Sequence, residues 1–157
     1  MRARFVNEYV VLPPKSKEDI IRDLSTLSND ELDKQLLKAS EKGLTSIVQL
    51  IIDAGADVNT QNQLGWTPLM SASYNGHKDI VKLLLDNRAD VNAQSNFGWT
   101  ALMWASANEY KDIVKLLLDA GADVNIKQDD GQTALMFALR YGYKDIFELL
   151  KKYGAKE

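Results

Sequence analysis

The stretch Gly55-Ala56-Asp57-Val58-Asn59 decides the fold, because the chain repeats it twice at a step of 33 residues. The later copies are Arg88-Ala89-Asp90-Val91-Asn92 and Gly121-Ala122-Asp123-Val124-Asn125. Two other phrases keep the same step, one beginning Gly-x-Thr at residues 65, 98 and 131 and one beginning Lys-Asp-Ile at residues 78, 111 and 144. A fixed period of roughly 20 to 50 residues indicates a stacked array of structural repeats.

One repeat unit, residues 62–94, shows what each copy is expected to form. Thr67-Pro68 predicts a helix start, with the Thr side chain as N-cap and Pro at the first helical position, where its missing N–H is not needed. Asn75-Gly76 predicts the end of that helix, because glycine adopts the left-handed conformation easily. Residues 78–86 then show helical periodicity, and residues 93–98 carry the turn residues of an extended hairpin. A unit of helix, turn, helix and loop cannot bury its apolar faces alone, so the units must stack.

The recurring sequence motifs of this unit resemble those of the ankyrin repeat. They are Thr67-Pro68-Leu69, Asn75-Gly76-His77, the run from Ile80 to Leu85, and Ala89-Asp90-Val91-Asn92. The resemblance covers about residues 29–157. It implies an all-α solenoid of stacked helix–turn–helix units joined by β-hairpin-like loops.

The phase of the repeats divides the chain into four units, near residues 29–61, 62–94, 95–127 and 128–157. The first is degenerate in its first half. The last has Lys151 where the preceding copies have leucine, and it ends in a polar stretch. Because a finite array needs polar ends, we expect the array to be complete at its C-terminus.

Residues 1–28 lie outside the repeats. The segment from Ser16 to Leu24 predicts an N-cap followed by a short amphipathic helix. Phe5-Val6 and Tyr9–Leu12 fit either a strand or an apolar tether. We expect this extension to cap the exposed end of the first repeat, with a docking peptide or an assembly arm as the alternative.

Several residues depart from the family pattern. Met70, Met103 and Met136 stand where the family has histidine, so we expect thioether packing in place of a polar link. Arg88 and Glu109 occupy positions where the other copies have glycine. If the backbone there is left-handed, each costs on the order of 1 kcal/mol relative to glycine. The third repeat is therefore expected to be the least stable part of the array.

Composition narrows the classes of function. The net charge of −3 argues against a nucleic-acid binder, since no basic excess is available to neutralise phosphates. A chain without cysteine has no disulfide, no thiol nucleophile and no Cys-ligated metal. It contains no apolar run long enough for a membrane span or a secretion signal. We expect an intracellular, cytoplasmic protein, with delivery into a host cell as the alternative.

Residues suited to catalysis are scarce. The one histidine, His77, occupies a position where the resemblance implies packing and turn bonding. Asp129-Asp130 lacks the spacing of a calcium loop. The copies of Asp57 and Asn59 are a whole repeat apart, so they do not converge on a metal. We expect no enzymatic activity, no cofactor and no metal.

The resemblance implies that a partner binds at the loop tips and the exposed flank of the first helices, and these positions are rich in aromatic residues. The expected site residues are Leu64, Trp66, Tyr74, Asn75, Phe97, Trp99, Trp104, Asn108, Asp130, Gln132, Phe137, Arg140 and Tyr141. They include all three tryptophans of the chain, and exposed Trp and Tyr are typical of interface hot spots. We expect a monomer that binds another protein or an extended peptide, and neither nucleic acid nor membrane.

Alternatives remain open for both the site and the function. Trp66 and Trp99 fit an internal aromatic stack along the array as well as a binding face. The chain fits a regulator or inhibitor of a partner enzyme, or a self-associating structural protein. Asp129, Asp130 and Glu109 are expected beside the aromatics, which favours a partner surface that mixes apolar and basic groups.

Overall fold

A computed structural model of the protein describes residues 4–6, 9–11 and 14–157. Within these residues the chain forms two short strands and nine helices. The strands are β1 (Arg4–Val6) and β2 (Tyr9–Val11). The helices are α1 (Lys17–Ser25), α2 (Asn29–Lys42), α3 (Thr45–Asp53), α4 (Pro68–Tyr74), α5 (Lys78–Asp86), α6 (Ala101–Ala107), α7 (Lys111–Asp119), α8 (Ala134–Tyr141) and α9 (Lys144–Lys152).

Helices α2 to α9 form four consecutive pairs, and each pair lies within one of the four predicted units. The two helices of a pair pack against each other, and α2, α4, α6 and α8 also contact one another in sequence order. The second helices α3, α5, α7 and α9 likewise contact one another in sequence order. The predicted all-α solenoid is confirmed. The loops between pairs, at residues 54–67, 87–100 and 120–133, contain successive turns, and no strand is assigned within residues 14–157.

The predicted helix starts are confirmed in detail. The side-chain oxygens of Thr67, Thr100 and Thr133 accept hydrogen bonds from backbone N–H groups three residues later, at 3.2, 3.3 and 3.4 Å. Each bond satisfies one of the N–H groups that a helix N-terminus leaves free. The backbone at the two non-glycine residues in glycine positions is left-handed, with φ 66° at Arg88 and 63° at Glu109, so the condition for their expected cost is met.

The repeated Asp-Val-Asn phrase links each unit to the next. The Asn59 side-chain oxygen accepts a hydrogen bond from the Asp90 N–H at 2.7 Å, and Asn92 does the same for Asp123 at 2.7 Å. Within a copy, the Asp90 carboxylate accepts from the Asn92 N–H at 3.0 Å, which shapes the turn. The phrase recurs because each copy both folds its own turn and ties it to the neighbouring unit.

The N-terminal segment contains the expected short helix. Ser16 caps α1 with a capping box that also involves Asp19, and Leu24 on the inner side of α1 is buried in the common core. Strands β1 and β2 pair antiparallel, so of the two alternatives for this region the strand is observed at residues 4–6 and 9–11. Leu12, which the strand alternative includes, lies outside the described residues.

Small side chains allow the first helices to approach closely. Ser40, Ser73 and Ser106 occupy one equivalent position and are fully buried. The fourth copy has Leu139 there, and it is 67% exposed because no described unit packs over it. Met136 is likewise 38% exposed, so the thioether packing expected at all three methionines occurs only at the other two. Lys151, on which the expected polar C-terminal end depends, is exposed, whereas the outer side of α8 presents the apolar side chains of Met136 and Leu139.

Candidate functional site

Three loop tips project from the array and have the same internal hydrogen bonding. We call residues 62–66 tip 1, residues 95–99 tip 2 and residues 128–132 tip 3. In each tip the first residue donates its backbone N–H to the carbonyl of the fifth, at 3.0, 2.9 and 2.9 Å. This bond closes the turn, so each tip has a defined shape of its own.

Neighbouring tips are also bonded to each other. The Asn96 N–H donates to the Leu64 carbonyl at 3.0 Å, and the Asp129 N–H donates to the Phe97 carbonyl at 3.0 Å. This close approach requires glycine: a Cβ atom on Gly65 would lie 2.7 Å from the backbone nitrogen of Asn96, and the residue has φ +76°. The three tips therefore form one ordered surface.

Five aromatic side chains pack into a continuous group next to the tips. This aromatic cluster consists of Trp66, Tyr74, Trp99, Trp104 and Phe137. Ring centroids are 4.8 Å apart for Trp66 and Trp104, 4.0 Å for Trp99 and Trp104, and 4.5 Å for Trp99 and Phe137. The two tip indoles thus meet through Trp104. The cluster spans three repeat units and stiffens the surface on which the tips stand.

The expected site residues differ in how far their side chains are exposed to a partner. Phe97 is 64% exposed and Leu64 is 55% exposed, so both project freely from the tips. Tyr74 and Tyr141 are exposed, and the three indoles are half-buried.

Other expected residues are engaged within the fold. Phe137 is only 2% exposed and lies under Trp99, so it supports the surface from below. The side-chain amides of Asn75 and Asn108 donate to carbonyls of their own helices, both at 2.8 Å. They cap α4 and α6.

A groove of about 310 Å³ lies between the tips. Its lining is Trp66, Ser95, Phe97, Trp99, Trp104, Gln128, Asp129 and Asp130. Two other expected residues are not in this lining: Gln132 is half-buried, and the Arg140 guanidinium lies 5.6 Å from the centre of the Phe137 ring. The expectation that Glu109 lies beside the aromatics of the predicted site is wrong, because Glu109 does not line this groove. Glu109 lines two other grooves, next to Tyr110 and Tyr143 at the starts of the second helices.

Asp129 was expected beside the aromatics, but sequence reasoning missed two residues of the groove, Ser95 and Gln128. Asp129 follows Asn96 by one repeat step, and both use their backbone N–H to bond the preceding tip. Ser95 and Gln128 are buried polar residues at the bases of tips 2 and 3. The Ser95 hydroxyl accepts from the Trp99 N–H at 3.2 Å.

His77, the one histidine of the chain, does not line the groove. A ring nitrogen of His77 bonds the Glu41 carbonyl at 2.8 Å, so this side chain links the first two helix pairs. Within the part of the chain that the structure describes, no group of three His, Asp or Glu side chains is arranged to hold a metal ion. Among the helices at residues 17–152, none has the length and apolar character needed to cross a membrane.

The clearest electrostatic feature is away from the tips, where α7 meets the end of α9. The Asp119 carboxylate accepts hydrogen bonds from the Lys115 ammonium and the Tyr153 hydroxyl, both at 2.6 Å. These two bonds, with Lys115 the larger cause, lower the pKa of Asp119. The bond to Asp119 and, as the second cause, a bond from the Lys115 ammonium to the Tyr153 hydroxyl oxygen at 2.7 Å raise the pKa of Lys115. This cluster joins the third and fourth helix pairs.

Comparison with known families agrees with this geometry. A family model described as ankyrin repeats, in three copies, matches residues 36–128, and a model described as ankyrin repeat matches residues 130–156. No curated protein matches the chain closely enough to count as a relative. The first match alone spans more than half of the chain, and the four stacked helix pairs have the architecture that it describes. The chain therefore belongs to the ankyrin-repeat family, whose members are generally protein–protein interaction modules and typically non-catalytic.

Proposed function

We propose that this chain is a non-catalytic binding module that presents the loop tips and the aromatic cluster to another protein or an extended peptide. The observation that carries the proposal is the exposure of Leu64 and Phe97 at the ends of tips that are hydrogen-bonded to each other. Large apolar side chains on an ordered surface are what an interface needs at its centre.

The rigidity of this surface supports the proposal. Binding loses free energy when loops and side chains have to be ordered, and a surface that is already ordered avoids most of that loss. The bonds from Asn96 to Leu64 and from Asp129 to Phe97 fix the tips before any partner arrives. The half-buried indoles behind them are held by their own stacking.

The proposed surface differs in detail from the full set of expected residues. Direct contact is assigned to the exposed side chains and to the accessible parts of the indoles. The contact residues are Leu64, Trp66, Tyr74, Phe97, Trp99, Trp104, Asp130, Gln132, Arg140 and Tyr141. Phe137, Asn75 and Asn108 are assigned supporting roles, because their side chains are buried or bonded within the fold.

The test is affinity capture with the double variant Leu64→Ser/Phe97→Ser. Neither side chain supports the core, so stability should change by no more than about 0.5 kcal/mol. Burial of two such side chains by a partner contributes roughly 3 kcal/mol or more, so the variant should bind a hundredfold or more weakly.

The matched control is Leu139→Ser, which removes an equally exposed apolar side chain from outside the proposed surface. We expect a partner that is captured by the wild type and by this control but lost by the double variant. Equal capture by all three proteins would move the binding surface away from the loop tips. Recovery of the chain itself as the captured partner would instead favour self-association.

A further inference from the structure

The charges around the groove between the tips are unevenly distributed. Tips 1 and 2 and helices α4 and α6 contain no charged residue. Tip 3 contributes two adjacent carboxylates, on Asp129 and Asp130, and both residues are exposed and line the groove. Within residues 14–157 neither carboxylate forms an ion pair. An apolar groove with two free carboxylates at one wall attracts a cation.

An exposed ring stands beside these carboxylates. The bond from the Asp129 N–H to the Phe97 carbonyl, at 3.0 Å, holds the acidic residue next to the aromatic one. The Phe97 side chain is largely exposed, whereas Trp99 is stacked between Trp104 and Phe137. The free ring face in the groove is therefore that of Phe97, and a cation placed there is attracted by the ring and by the carboxylates together.

From this arrangement we propose that the groove binds one arginine side chain of the partner protein. The inference rests on the proposed function, because it names what the partner presents to that face. A guanidinium is planar, stacks on aromatic rings and bonds carboxylates through two N–H groups at once. A groove of about 310 Å³ has the volume of roughly ten water molecules, which is ample for one arginine side chain.

The same pairing of a guanidinium with an aromatic ring already occurs within this chain. The Arg140 guanidinium lies 5.6 Å from the ring centre of Phe137, in the arrangement that the partner's arginine would adopt over Phe97. Lysine fits this site less well than arginine, because its compact ammonium is strongly hydrated and bonds carboxylates without the planar fork. The site thus distinguishes the two basic side chains.

The test is selection of a random-peptide display library on three forms of the full chain. These are the wild type, Asp129→Asn/Asp130→Asn, and the control Asp79→Asn/Asp86→Asn on α5, which changes the net charge equally. Within residues 14–157 neither tip carboxylate accepts a hydrogen bond from a side chain, so the first variant keeps the fold. We expect arginine at one fixed position in peptides retained by the wild type and the control, and its loss with the tip variant.

A selected peptide then shows how much its arginine contributes to the binding affinity. Replacing its arginine by citrulline, which has the same shape without the charge, should weaken binding about tenfold, as should the tip variant. The effect should shrink as salt is raised, because both carboxylates are exposed. Equal or greater enrichment of lysine would overturn the assignment of arginine.

Two further outcomes separate this inference from the proposed function. Peptides that need Leu64 and Phe97 but contain no basic residue would overturn the arginine site and leave the proposed function intact. Peptides whose retention is unchanged by Leu64→Ser/Phe97→Ser would overturn both.

Discussion

Replacing the buried Ser106 by alanine should stabilise this protein. The Ser106 side chain is fully buried, and within the described residues its hydroxyl has no hydrogen-bond partner. Burying a hydroxyl without a partner costs about 1–3 kcal/mol, and alanine is also the better helix former by about 0.5 kcal/mol. Because only one oxygen atom is removed, little packing is lost. We expect the free energy of unfolding to rise by about 1–2 kcal/mol.

The measurement is urea unfolding monitored by far-UV circular dichroism. The free energies of unfolding of the wild type and Ser106→Ala are compared, and the two proteins should have the same dependence of that free energy on urea concentration. Ser40 and Ser73 occupy the same position in other units and are unpartnered in the same way, so they serve as replicates. The triple alanine variant should add the three gains, since the sites are a repeat apart. A loss of stability in Ser106→Ala would refute the reasoning, because it would show that the hydroxyl is bonded.

The opposite substitution at the same site tests the packing argument. Ser106→Leu introduces the residue that the last unit has as Leu139, where it is exposed. At position 106 the next helix is in contact, so overpacking should lower stability by about 1–3 kcal/mol or more. A Ser106→Leu variant as stable as the wild type would mean that α6 and α8 are not packed as closely as described.

Three other predictions follow from the backbone, the repeat links and the charges. Glu109→Gly should raise the free energy of unfolding by about 0.5–1 kcal/mol. The reason is that the strain of a non-glycine residue at φ 63° is larger than the extra conformational entropy that glycine loses on folding. A lower Tm of the variant in calorimetry would contradict this. Asn92→Ala should destabilise by about 0.5–1.5 kcal/mol in urea unfolding by removing the 2.7 Å bond from the Asp123 N–H, and an unchanged midpoint would contradict it. Asp119→Asn should lower the Tm near neutral pH. Because the folded-state pKa of Asp119 is depressed, that difference should be present above its ordinary value of 3.8 and vanish as the pH falls through the folded-state value. A difference that persists in acid would contradict the third prediction.

The repeat phase was sufficient for the fold because the determinants are local and periodic. Thr67-Pro68 starts a helix by chemistry within one turn, and the glycines equivalent to Arg88 and Glu109 in other copies indicate where a left-handed backbone can occur. Contacts between units could not be derived in this way. The bond from the Asp90 N–H to the Asn59 side-chain oxygen spans 31 residues and depends on how the units stack.

The candidate site shows the same division. The positions of Leu64 and Phe97 at the tips follow from the repeat phase alone. That Phe137 is covered by Trp99 depends on which rings stack, and the sequence does not specify this. Glu109 was misplaced because it lies close to the aromatics in sequence, whereas the turn that follows α6 carries it to the other end of the helix.

The position of the tryptophans also determines which part of this protein tryptophan fluorescence monitors during unfolding. All three indoles of the chain lie in one contact group at the junction of the second and third helix pairs. An unfolding curve measured by tryptophan fluorescence therefore monitors the centre of the array, whereas one measured by circular dichroism monitors all the helices. In a linear array whose ends can separate independently, the two curves diverge when a terminal unit melts first. The native sequence thus carries an optical probe for the cooperativity of its own repeats.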